Sequence, residues 1–124
     1  MSNPFVYSVV SSRIHPRMTH LYAQHGLSEK VFSSTRKAMN LIKKEKPEYL
    51  VADFLYGYSN NYAGVNISNL DVMLMALQRY SPDTKVIIIA EKHEIEYVPH
   101  LDTIIPLHGI LQHPVAEADL AKLL

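Results

Sequence analysis

The stretch Ser81-Pro82-Asp83-Thr84-Lys85-Val86-Ile87-Ile88-Ile89 decides how the rest of the chain is read. Ser81, Pro82 and Asp83 form a turn signal: proline presets φ, and serine and aspartate side chains bond readily to nearby backbone. Val86 to Ile89 then gives four consecutive β-branched residues with no polar alternation. A strand with one wet face alternates apolar and polar residues. A run apolar on both faces marks a strand covered on both sides, as in the centre of a parallel sheet.

Around this strand the chain alternates strands and helices. Phe5 to Val10 reads as a strand, and Pro16 suits the first residue of a helix, where its missing N–H is no loss. Met18, Leu21 and Tyr22 follow at helical spacing, and Gly26 is placed to end the helix. Val31 and Phe32 suggest a short second strand. Ser34 is placed to cap the next helix, whose apolar face is Ala38, Leu41 and Ile42, and Pro47 stops it. Tyr49 to Ala52 is a compact apolar strand ending at Asp53. A loop rich in Tyr, Asn, Ser and Gly spans 54–66, and Leu70, Met73, Leu74 and Leu77 then recur at helical spacing. After Ile89 the pattern weakens to a short helix around Glu94 to Val98 and irregular chain to 108. Ile110 to Gln112 is a final short strand, and Pro114 opens a last helix carrying Val115, Leu120, Leu123 and Leu124. The sum is a doubly wound (βα)5 domain with a parallel sheet in the order 2-1-3-4-5. In that order functional groups gather beyond the carboxyl ends of the first and third strands. Ser11 and Ser12 should then lie near Asp53, with Ala90 lining the same crevice.

Composition narrows the function classes. A chain of 124 residues with 48% hydrophobic and 19% charged residues suits one globular domain. With no cysteine, disulfides, thiolate nucleophiles and cysteine metal sites are excluded, and a reducing, cytoplasmic setting is expected. The formal net charge is zero with the signs interspersed, which argues against a nucleic-acid partner. Lys43, Lys44 and Lys46 are interrupted by Glu45 and read as the solvated end of a helix. No segment approaches the roughly 20 apolar residues of a membrane span, and the start lacks the pattern of a signal peptide.

Lys46-Pro47-Glu48-Tyr49-Leu50-Val51-Ala52-Asp53 resembles the segment of response-regulator receiver domains that leads into their phosphoacceptor aspartate. Ser81 to Ile89 is similar to the family's approach to its fourth strand, and His113-Pro114 falls where receivers carry a Lys-Pro pair. The resemblance implies a flavodoxin-like receiver fold over residues 1–124, with no separate output domain. It also implies a phosphoacceptor role for Asp53. Such a role requires Mg²⁺, which wants hard oxygen ligands. Receivers supply an acidic pair after the first strand, and this chain has Ser11 and Ser12. Ala90 stands where receivers have Ser or Thr, and His113 stands in for the lysine. The loop after Asp53 is longer and lacks the family's Met-Pro.

The expectation is therefore a pseudo-receiver, a non-enzymatic signalling module working through a protein partner or a homodimer. Residues 92–124 are its expected contact surface, and apolar content at Ile104, Ile105 and Leu107 fits either that interface or ordinary core. No cofactor is expected; magnesium enters only if Asp53 is a working phosphoacceptor, which is the alternative reading. In the plainer account Asp53 caps the next loop by accepting backbone N–H bonds. A further alternative is a small-molecule or metal-binding module using the crevice and the seven histidines. No metal site is expected, because His15, His20 and His25 recur every five residues and hold no single helix face. Scattered surface or capping histidines are the expectation. Tyr56, Tyr58 and Tyr62 form a candidate binding loop, since tyrosine offers large amphipathic area at low entropic cost. Glycines are too scarce and scattered for a phosphate-binding loop, and no serine-hydrolase elbow occurs.

Overall fold

The computed structural model describes residues 4–56 and 68–124. Five strands, β1 (Phe5–Val9), β2 (Ser28–Phe32), β3 (Tyr49–Asp53), β4 (Lys85–Ala90) and β5 (Leu107–Gln112), form one sheet in the order β2-β1-β3-β4-β5. Every pairing is parallel. This is the doubly wound topology expected from the sequence, with β3 fully buried and β4 buried from Val86 to Ala90. β2 is longer than Val31 and Phe32 alone implied. It lies at a sheet edge, where polar residues such as Glu29 and Lys30 are tolerated in a strand. β5 is the other edge. Its pairing to β4 steps from Leu107 to Gly109, so His108 bulges out.

The two faces are covered separately. Helices α2 (Thr35–Ile42) and α3 (Asp71–Tyr80) flank a core that includes Tyr7, Leu50, Leu74, Leu77 and Ile88. Helices α1 (Thr19–Gln24) and α4 (Glu117–Ala121) cover the other face with Leu21, Tyr22 and Leu120 against Val6, Val51, Ile87 and Ile89. Ser34 caps α2 as expected, accepting the Lys37 N–H at 3.4 Å. Gly26 follows α1 at φ 75°, a left-handed conformation that favours glycine. Tyr7 is buried in the first core, and Tyr22 and Tyr49 in the second. Burial, with Glu45 nearby, pushes the Tyr7 phenol up to about 12, and burial together with Glu29 pushes that of Tyr22 up further.

Three sequence expectations are corrected. The first helix starts at Thr19, three residues after Pro16, because residues 11–15 are engaged at the end of β3. Residues Ile95–Thr103 form one 3₁₀ helix through Pro99, which includes the short helix expected around Glu94 to Val98 and replaces the irregular chain expected after it. The last helix begins at Glu117 and not at Pro114 because Ala116 is still extended, and β5 starts at Leu107, ahead of the expected Ile110. Of the two readings of Ile104, Ile105 and Leu107, the structure favours core: Ile105 is buried, and Ile104 and Leu107 are half-buried against the same core as Leu101. Among the described residues, no helix is long and apolar enough to cross a membrane.

Candidate functional site

The carboxyl ends of β1, β3 and β4 converge because the strands are parallel and in register: Val9 pairs with Ala52, and Asp53 with Ile89. Asp53 ends β3 and is 1% exposed. A carboxylate buried this deeply needs compensating donors, and the chain supplies them from two directions. From the loop after β1, the backbone N–H groups of Ser11 and Ser12 donate to Oδ2 at 2.8 and 3.1 Å. His15 Nδ1 meets the same oxygen at 2.8 Å. Because a carboxylate only accepts, Nδ1 carries the hydrogen of that bond. From the end of β5, His113 Nε2 faces Oδ1 at 3.5 Å, an electrostatic contact rather than a directional hydrogen bond. The side chains of His15 and His113 are 5% and 3% exposed.

Ser11 and Ser12 therefore reach Asp53, but through their backbone. The Ser12 hydroxyl instead accepts the Ile14 N–H, which shapes the turn that brings in His15. Ala90 is buried at the end of β4, and its carbonyl accepts the His113 N–H at 3.0 Å, which sets that histidine beside Asp53. Asn69 closes the near side. Its amide donates to the Asp53 carbonyl at 3.0 Å and to Ser11 Oγ at 3.3 Å, while its Oδ1 accepts the Leu55 N–H at 2.8 Å.

Two corrections follow. The backbone donors to Asp53 come from the loop after β1, not from the loop that follows Asp53. His15 and His113 have buried side chains and are not surface histidines; burial of the Asp53 carboxylate is compensated at Oδ2 by the His15 ring and two backbone N–H groups. His25 does act as a cap, its Nδ1 meeting the Leu21 carbonyl at 3.1 Å. His15 was missed because nothing in its spacing marks it. Its nearness to the end of the first strand was the available signal. Tyr56 is exposed, stacks on Tyr97 with ring centroids 3.9 Å apart, and donates its N–H to Glu94 at 2.9 Å. Tyr58 and Tyr62 lie outside the described residues.

The donor set bears on magnesium. A divalent cation needs converging oxygen acceptors. Here the four polar contacts to the Asp53 carboxylate all come from nitrogen donors, two of them imidazoles able to carry positive charge. The residues present do not fit the ion. Among the described residues no group of three or more histidine or acidic side chains is arranged to hold a metal.

No family model and no curated protein matches this sequence. Solved structures do match its fold. The signal receiver domain of an HD domain-containing protein from Pseudomonas fluorescens Pf-5 superposes with a TM-score of 0.74 at 12% identity, over 98% of this chain and 90% of that one. A Francisella response-regulator receiver domain gives 0.67 at 19% identity, over 97% and 92%. A response-regulator receiver domain from Clostridium thermocellum gives 0.70 at 14%, over 97% and 90%. At these identities the likeness is one of fold: the chain has the receiver architecture.

Proposed function

We propose that this chain is a receiver-like signalling module that acts through protein contacts and does not take up phosphate by a magnesium-dependent route. One observation carries the reading: the Asp53 carboxylate is buried, with three donors on Oδ2 and His113 beside Oδ1, so it serves as a structural tie between the ends of β1, β3 and β5. A nucleophilic carboxylate must offer a free oxygen to the incoming phosphorus and share a cation with it. Oδ2 accepts three hydrogen bonds, and Oδ1, without a hydrogen-bond partner among the described residues, is buried with His113 Nε2 3.5 Å away.

The contact surface is proposed within residues 92–124. The apolar groups that support it are Tyr97 and Ile110, both exposed. Tyr97 is also joined to the segment after Asp53 through its stack on Tyr56, which links that surface to the crevice.

The test is incubation with acetyl phosphate, and separately with beryllofluoride, at millimolar Mg²⁺. The expected result is no adduct by intact mass and no amide shifts around Asp53. A magnesium-dependent adduct mapped to Asp53 overturns the proposal and establishes a working phosphoacceptor.

A further inference from the structure

A cavity of about 470 Å³ lies against the loop after β1 and the ends of β1 and β2, on the face covered by α1. Val10 and Val31 give it apolar wall, and Arg13, Arg17, Glu29 and His15 give it polar wall. The charged groups are not equivalent. Among the described residues neither Arg13 nor Arg17 has an acidic partner. Glu29 is already engaged: its carboxylate accepts from Ser8 Oγ at 2.5 Å and from Thr19 Oγ1. The cavity therefore has uncommitted positive charge and a negative charge that is tied down.

His15 supplies an independent observation. Its Nδ1 is spent on Asp53, so Nε2, across the ring, is turned away from that carboxylate. Nε2 is buried and, among the described residues, has no hydrogen-bond partner, and His15 is one of the residues that line the cavity. A buried polar atom without a partner carries a desolvation cost that a ligand can relieve.

We propose that this cavity binds a small organic or inorganic anion through its carboxylate or phosphate group, held by the guanidinium groups of Arg13 and Arg17 and by His15 Nε2. Planar guanidinium suits both oxyanions. With a hydrogen on each ring nitrogen, His15 donates to Asp53 on one side and to the ligand on the other, and both buried atoms are satisfied. Occupancy then reaches the crevice through one imidazole. This site goes beyond the protein-contact reading and stands whether or not that reading holds.

The test titrates the intact chain with inorganic phosphate and, separately, with succinate at low ionic strength, following heat and the His15 ring resonances. Saturable binding of at least one is expected, with Kd on the order of 1 mM, and the two probes distinguish a phosphate from a carboxylate ligand. Arg13→Gln with Arg17→Gln should weaken binding at least about tenfold. His15→Asn, whose amide reaches the place of Nδ1 but leaves that of Nε2 empty, should stay folded and weaken binding about fivefold. His15→Gln, whose amide reaches the place of Nε2, should recover part of that loss. Lys43→Gln with Lys44→Gln, outside the cavity, should change nothing. Absence of saturable binding by both anions overturns the proposal, and so does equal binding by the double arginine variant.

Discussion

Asp53 carries more of this molecule's stability than its position at a strand end suggests. An asparagine there turns an amide N–H₂ or a weaker acceptor toward groups that all donate, and removes the charge that faces two imidazoles. Breaking a buried, hydrogen-bonded charge is among the costlier single changes. Asp53→Asn should therefore lower stability by about 2–4 kcal/mol, measured by urea unfolding. Stability within about 0.5 kcal/mol of the parent would mean the ring of donors contributes little. The sequence showed Asp53 ending an apolar strand, with Ser11 and Ser12 nearby. It hid the histidines, because His15 and Asp53 are 38 positions apart and meet only through strand order.

The elements around the crevice are joined by Asn69, at the turn into α3. One side chain bonds the Leu55 N–H, the Asp53 carbonyl and Ser11 Oγ, spanning the exits of β1 and β3. Asn69→Ala should cost about 1–2 kcal/mol and speed amide exchange at Leu55, Ser11 and Ser12, as read by NMR. Unchanged exchange at those amides would place the closure elsewhere. Helix interiors with clear periodicity, such as Leu70 to Leu77, were readable before any coordinates. The helix starts near the crevice were not. Pro16 has the right chemistry to open a helix, yet the backbone before it is drawn to the buried carboxylate, and α1 waits until Thr19. Likewise the segment with Pro99 gives up α-helical bonding and tightens into a 3₁₀ helix, for which its mixed periodicity offered no template.

Across the whole molecule, a phenol that burial holds protonated sits on each side of the sheet: Tyr7 in the core with α2 and α3, Tyr22 in the core with α1 and α4. Each folded-state value lies above the ordinary 10, so the native chain keeps protons that the unfolded chain releases. The stability they contribute is full below about pH 10 and falls as pH rises toward the folded values. Denaturation midpoints should hold to about pH 10 and then drop steeply toward pH 12, and Tyr7→Phe should flatten part of that drop. An identical slope in Tyr7→Phe would assign the alkaline transition to other groups. The architecture itself was readable, because an apolar run such as Val86 to Ile89 has few places to go but the middle of a parallel sheet.

The sheet's margins have a consequence for how a partner can approach. A bare, regular edge invites another chain to add a strand through backbone hydrogen bonds. One margin carries Glu29 and Lys30 in β2, and the other is interrupted by the bulge at His108, next to the side-chain-free Gly109. Neither offers an apolar, unbroken template. Recognition at this protein must proceed by fitting side chains to its surface, and fibre-like stacking of copies is disfavoured at both borders.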